Sequence, residues 1–178
     1  AKVITLSDSG GTLVHEAGIS HGMLQDLMEF KNVQRGRLKD YCKQHKLKFE
    51  ADKRPWHVPV DIALPCATQN ELDGADAKHL IANGVLCVAE GANMPSTLEA
   101  VDHFLAAGVL YAPGKASNAG GVATSGLEMS QNSARLSWPR EEVDARLLQI
   151  MQGIHTACLH YGQRADGSVS YIDGANVA

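Results

Sequence analysis

The chain is poor in aromatic residues, which fill 5% of its 178 positions, and holds only four cysteines. Cys42, Cys66, Cys87 and Cys158 are widely spread and form no C-x-x-C pair, so neither a disulfide framework nor a thiolate knuckle is expected. Among the eight histidines there is no H-E-x-x-H, and His155 and His160 stand on different faces of any helix that carries them. A metal site built by one local segment is therefore not expected. The sequence also lacks a Walker loop, a G-x-G-x-x-G and a G-x-S-x-G around Ser125. No apolar run approaches the roughly 20 residues that cross a bilayer, and the first residues lack the charged-then-apolar pattern of a signal peptide. Nor is there an excess of one charge. Sixteen Lys+Arg against twenty Asp+Glu leave a formal −4, without the broad basic footprint that nucleic acid or an anionic membrane requires. The expectation is a cytoplasmic globular chain with reduced thiols, no resident metal, and no nucleic-acid or membrane partner.

What is present is apolar material in short, regular blocks. Hydrophobic residues make up 44% of the chain, enough for a core at this length. Lys2–Leu6 reads as a buried strand that breaks at Ser7-Asp8-Ser9-Gly10-Gly11. A helix capped by Ser20 should follow, with Leu24, Leu27 and Met28 on one face, then a short helix placing Leu38, Tyr41 and Cys42 together. Lys48 to Trp56 reads as a polar connection. Beyond it, apolar strands at Val60–Leu64, Val85–Ala89 and Val109–Ala112 alternate with helices. The first of these helices runs over Asp76–Asn83 with Gly84 past its end; the second has a Ser96–Glu99 capping box and a face of Leu98, Val101, Phe104 and Leu105. Two long helical segments close the chain, the last from about Pro139. Continuous apolar strands between helices indicate an α/β fold with a parallel sheet covered on both faces.

In an open parallel sheet, ligands bind in the crevice beyond the carboxyl ends of the strands. Four polar or glycine-rich segments follow apolar strands: Ser7–Gly11, Pro65–Asn70, Glu90–Asn93 and Pro113–Gly121. Together they mark a binding cleft. Asp8 suits the hydroxyls of an adenosine ribose, although Asp is also common in turns. Lys31 and Arg37 can fold back to the same corner and favour a ribose 2′-phosphate, or can simply belong to a solvated basic face with Arg35 and Lys39. Thr68, Gln69 and Asn70 suit a carboxamide or ribose, or else cap the next helix. Asn93 either faces the cleft or makes the turn before Met94-Pro95. Gly120-Gly121 permits close backbone approach, and Ser125 is expected at a helix start, where free amides suit a carboxylate, or where it is an ordinary capped end. Cys66 has no cationic neighbour in sequence to lower its pKa and is expected only to line the strand end.

At these segments the sequence resembles the bacterial NADP-type glutamate dehydrogenases of the hexameric class. The resemblance is carried by D-I-A-L-P-C-A-T-Q-N-E-L at Asp61–Leu72, by A-E-G-A-N-M-P at Ala89–Pro95, and by P-G-K-A-S-N-A-G-G-V-A-T-S-G-L-E-M-S-Q-N at Pro113–Asn132. It runs in order from Val3 to Ala178. The resemblance implies a Rossmann-like, doubly wound, mostly parallel sheet lacking its first βα unit, followed by C-terminal helices. Residues 1–125 would form a partial NAD(P)-binding domain, and 126–178 a pivot helix (Gly126 to Arg135) and a C-terminal helical segment. It implies that Ser7, Asp8 and Ser9 face the adenosine ribose, and that Lys31 and Arg37 hold the 2′-phosphate of NADP, with NAD the less favoured coenzyme. Ala67, Thr68, Gln69, Gly91, Ala92 and Asn93 would line the nicotinamide half, and Asn118 would lie beside nicotinamide and substrate. Ser125 would bind the distal carboxylate of L-glutamate or 2-oxoglutarate, with Val122 against the substrate chain. The reaction implied is reversible NADP-dependent oxidative deamination of L-glutamate to 2-oxoglutarate and ammonia, in a homohexamer. The family's catalytic lysine and aspartate, its glycine-rich phosphate loop and its final helix have no counterpart in the 178 residues. This stretch alone is therefore expected to be a fragment, inactive and weak in NADP binding. Two alternatives stand beside this reading: a dehydrogenase of leucine, valine or phenylalanine, disfavoured by the Ser125 hydroxyl, and a stand-alone nucleotide-binding or assembly module, disfavoured by the missing glycine loop.

Overall fold

A computed structural model of the chain describes residues 1–177; Ala178, the last residue of the expected C-terminal segment, lies outside the described residues. The chain divides into two compact units, Ala1–Val58 and Pro59–Ala178.

The first unit is built on a three-stranded antiparallel sheet. Strands β1 (Thr5–Asp8) and β2 (Gly11–Val14) form a hairpin in which Asp8 lies opposite Gly11, and β2 pairs in turn with β3 (Lys48–Ala51). The Ser7–Gly11 segment is thus the tip of a hairpin, with Ser9-Gly10 its turn, and Lys48–Ala51, expected as connection, is a strand. Helices α1 (His21–Asn32) and α2 (Leu38–Gln44) supply the rest of the core, where Leu13, Leu27, Phe30, Leu38, Tyr41 and Cys42 are buried together. The Ser20 cap is present: its hydroxyl accepts from the Met23 amide at 3.2 Å. The face of α1 differs from expectation. Leu27 and Phe30 are its buried residues, whereas Leu24 and Met28 are exposed, because α2 packs on the side that Phe30 faces. Tyr41 joins the two helices, its ring 5.5 Å from that of Phe30 and its hydroxyl 3.0 Å from the Asp26 carboxylate. Burial, aided by that carboxylate, pushes the Tyr41 phenol up to about 12.

The second unit holds the expected parallel sheet, with strand order β4 (Ile62–Ala63), β5 (Cys87–Ala89), β6 (Leu110–Ala112). Helices α3 (Gly74–Ala82) and α4 (Leu98–Ala106) are the crossovers and pack on each other. Asp73 and Asp76 form the capping box of α3, and Gly84 past its end sits at φ +79°, where a side chain would be strained. The expected Ser96–Glu99 box is not formed. Thr97 caps α4 by accepting from the Ala100 amide at 3.3 Å, and Glu99 instead approaches Lys78 and His103. Phe104 is buried as expected, together with Ala100, whereas Leu98 and Leu105 are exposed. The chain continues through α5 (Gly114–Ser117), α6 (Gly120–Ala134), α7 (Arg140–Tyr161) and α8 (Tyr171–Val177). Neither α6 nor most of α7 is buried; Cys158 is the fully enclosed residue of α7.

Candidate functional site

The carboxyl ends of the three parallel strands open into a cleft of about 550 Å³ in the second unit. Its lining is Cys66, Ala67, Thr68 and Gln69 after β4, Gly91, Ala92 and Asn93 after β5, and Asn118, Gly121 and Val122 after β6. Three of the four segments expected from sequence therefore share one edge. The fourth, Ser7–Gly11, belongs to the first unit.

Backbone hydrogen bonds stitch these ends together. The Pro65 carbonyl accepts from the amides of Gly91 and Ala92, at 2.9 and 3.1 Å. The Met94 carbonyl accepts from the Asn70 amide at 3.0 Å, with Asn70 held at φ +56°. The first strand end is shaped by Glu71, whose carboxylate accepts from the Ala67 amide at 2.7 Å and the Thr68 amide at 3.4 Å. Since α3 is capped by Asp73, the residues Thr68, Gln69 and Asn70 are not its caps. Gly91 and Gly114 are required by space: a Cβ on Gly91 would come within 2.5 Å of the Cys66 sulfur, and one on Gly114 within 2.8 Å of the Ala92 carbonyl oxygen.

Asn118 and Asn93 meet in the cleft. The Asn118 Nδ2 donates to the Asn93 Oδ1 at 2.7 Å and to the Ala92 carbonyl at 3.1 Å. Beneath them lies a residue that the sequence pattern marks only as the head of a segment. Glu90 is 4% exposed; its carboxylate accepts from the Ser96 amide at 3.2 Å and the Gly114 amide at 2.8 Å. The Tyr111 hydroxyl is a third partner, and burial together with this carboxylate pushes the Tyr111 phenol far up. An acidic residue directly after a wholly apolar strand, where solvation is lost unless donors are supplied, is the signal that marks both Glu90 and its importance. Cys66 has a thiol pushed up by burial, consistent with a lining role and not a nucleophilic one.

Val122 lines the cleft, but Ser125 does not. Ser125 is not at a helix start: α6 begins at Gly120, so the Ser125 amide lies inside the hydrogen-bonded body of the helix and offers no free donor. Gly121 lines the cleft with open space beside it, nothing lying within 4 Å of a Cβ built there, whereas Gly120 faces Met151 and Leu147. What α6 does provide is a face on which positions 122 and 125 are neighbours, one turn apart.

In the first unit, Lys31 and Arg37 do fold back to the hairpin turn. The Lys31 ammonium contacts the Asp8 carboxylate at 2.9 Å, and Arg37 donates to the Ser9 hydroxyl at 3.3 Å. Asp8 also accepts from the Gly10 amide at 2.9 Å and the Leu38 amide at 3.0 Å. Burial opposes its ionisation, but Lys31 and the two amides outweigh burial and hold the carboxyl below its ordinary value. Three bonds occupy most of the roughly four acceptor positions of a carboxylate, so Asp8 ties the turn to both helices and keeps little capacity for a ligand. Ser7 and Ser9 are exposed. Among the described residues, no group of three or more His, Cys, Asp or Glu is placed to hold a metal ion, and no helix is long and apolar enough to cross a membrane.

The family model for glutamate/leucine/phenylalanine/valine dehydrogenase matches residues 1–178. The chain is 60% identical over its whole length to an NADP-specific glutamate dehydrogenase of Salmonella typhimurium, and 56% identical to an NAD(P)-specific glutamate dehydrogenase of Xylanibacter ruminicola. It spans 40% of the length of each. A solved glutamate dehydrogenase of Plasmodium falciparum resembles it with a TM-score of 0.93 and 44% identity, over 99% of this chain and 38% of that one.

Proposed function

The chain belongs to the glutamate/leucine/phenylalanine/valine dehydrogenase family, and from that membership we propose that it is the coenzyme-binding part of a cytoplasmic, oligomeric, NADP-dependent glutamate dehydrogenase. The reaction is reversible oxidative deamination of L-glutamate to 2-oxoglutarate and ammonia. The observation that carries this is the cleft itself, in which Ala67-Thr68-Gln69, Gly91-Ala92-Asn93 and Asn118 meet at the carboxyl ends of parallel strands.

The donor set fits a dinucleotide. Thr68, Gln69 and Asn93 are exposed, and the Asn118 Oδ1 accepts no hydrogen bond among the described residues, so the cleft offers both polarities to a carboxamide. In the first unit, Lys31 and Arg37 supply positive charge for a 2′-phosphate, beside the exposed Ser7 and Ser9 for the ribose, with Asp8 holding the turn and offering its one remaining acceptor position. NADP is favoured by these two cations and by the NADP-specific relative; the NAD(P)-specific relative makes NAD the second coenzyme. When bound, the coenzyme supplies or accepts the hydride. The residues of this chain position it, and the small side chains at Gly91, Ala92 and Gly121 allow close approach of the ring. Val122 packs on the substrate chain and Ser125, on the same face of α6, meets its distal carboxylate. Residues 1–125 hold coenzyme; Gly126 to Arg135 act as the pivot within 126–178, ending where Arg135 turns left-handed at φ 54°. By this reading the proton-transfer groups lie outside the 178 residues, in a longer homohexameric chain.

The test is the activity of the full-length protein on L-glutamate and L-leucine with each coenzyme. Preference for glutamate with NADP is expected. Equal or greater turnover of leucine would assign the chain to a branched-chain amino-acid dehydrogenase instead.

A further inference from the structure

Glu90 is the most thoroughly enclosed acidic side chain in the second unit, at 4% exposure, and it has no cation beside it among the described ion pairs. Every partner is a donor: two backbone amides, from Ser96 and Gly114, and the Tyr111 hydroxyl. A carboxylate is the side chain that accepts all three, and burial without them would be costly. Residue 90 also receives the Ser117 hydroxyl on its carbonyl at 2.6 Å, and its own amide donates to the Ala112 carbonyl at 3.1 Å. The ends of β5 and β6 are therefore fastened through one residue.

The fastening leads to the cleft by single steps. Gly114, bound to the Glu90 carboxylate, accepts the Asn118 amide on its carbonyl at 2.8 Å. Asn118 in turn holds Ala92 and Asn93 through its Nδ2. Gly114 has no room for a side chain, since the Ala92 oxygen and the Asn118 Nδ2 lie 2.8 and 3.1 Å from where its Cβ would stand, so its backbone packs directly against the cleft wall.

We propose that Glu90 is a positioning residue for the coenzyme: its buried carboxylate sets Gly114, and through it Asn118, against Ala92-Asn93, so that the nicotinamide end meets a pre-formed cleft wall. This rests on the coenzyme reading of the cleft. Glu90 itself does not line the cleft and touches no reacting atom. Glu90→Gln is the informative change. It keeps size but turns one oxygen into an NH2 group, which must face either the Ser96 or the Gly114 amide, donor against donor.

The experiment measures the KM for NADPH, kcat per folded site, and inhibition by 2′,5′-ADP, which carries only the adenosine end, in the full-length enzyme and its Glu90→Gln variant. The expected result is a KM for NADPH raised tenfold or more, with the inhibition constant for 2′,5′-ADP within twofold of the parent. A residue that served stability alone would lower the yield of folded protein and leave both constants unchanged, and that result would overturn the proposal. If Glu90→Gln does not fold, Tyr111→Phe decides, because it removes one donor to Glu90 and keeps the ring stacked on Phe104. A two- to fivefold rise in KM for NADPH at constant 2′,5′-ADP inhibition supports the role, and no change overturns it. Failure of the parent enzyme to use NADPH or bind 2′,5′-ADP would instead overturn the coenzyme reading, and the positioning role with it.

Discussion

Asp8 and Glu90 are both acidic residues at the end of a strand, one in each unit, and they are stabilised in opposite ways. Asp8 ends an edge strand of an antiparallel sheet; its side chain is 15% exposed and shares the carboxylate between Lys31 and two backbone amides. Glu90 follows the central strand of a parallel sheet, is nearly sealed, and relies on amides and a phenol in place of a cation. A cation near the surface stays available to other anions, which suits a place where a phosphate is read. Neutral donors around a buried charge leave nothing to exchange, which suits a fixed wall. The two acids are therefore held by different means within their own units. Asp8 ties a surface turn to two helices, and Glu90 fastens the ends of two parallel strands.

The largest effect should come from deleting the sealed carboxylate. Glu90→Leu leaves the Ser96 and Gly114 amides and the Tyr111 hydroxyl without an acceptor, and should lower stability by about 3–4 kcal/mol in urea unfolding, with little dependence on salt. A loss under about 1 kcal/mol would show that these donors find water. Asp8→Asn should cost about 2 kcal/mol, because the new NH2 group meets Lys31 and the Leu38 amide. Its pH dependence has a definite sign. The folded-state pKa of Asp8 is lowered from 3.8, so its contribution is present above that value and is lost as the pH falls through the lower folded value. An acid-unfolding curve of the Asn variant should lack this component, and salt should shrink the difference because the Lys31 pair is partly solvated. The smallest effect concerns binding alone. Replacing both Lys31 and Arg37 with Ala in the full-length enzyme should raise the KM for NADPH about tenfold, roughly 1.4 kcal/mol, and barely change that for NADH. Equal losses for both coenzymes would show that the cations read no phosphate.

Much of the second unit is legible in the sequence because its strands are wholly apolar and its helices carry their own boundaries. Val85–Ala89 and Val109–Ala112 contain the observed β5 and β6, and Gly84 stands where the sequence puts a helix end. The first unit is harder to read. β2 is four residues long and begins on the second of two glycines, and β3, although it alternates charged and apolar residues, lasts only four residues within a basic stretch, so neither breaks clearly from a loop. The buried face of α4 depends on what packs against it. Size alone suggests burying Leu98 and Leu105 beside Phe104, whereas packing against α3 needs a small residue at Ala100 and leaves the two leucines exposed. In the cleft, the lining residues emerge from the resemblance and the strand-end rule together. Glu71 and Glu90, which shape it, do not. Their role depends on which backbone amides come near, and the partners of Glu90 arrive from as far along the chain as Gly114.

On the proposed reading, the cleft formed by Thr68-Gln69, Ala92-Asn93 and Asn118 receives the nicotinamide end of NADP and is held in shape from below by Glu90. A crystal structure of the full-length enzyme with NADP tests it most directly. The predicted result is the nicotinamide carboxamide within hydrogen-bond distance of these side chains, with the Glu90–Gly114–Asn118 connections unchanged from those described. Finding the ring elsewhere, or finding Glu90 turned to face the ligand, would contradict it.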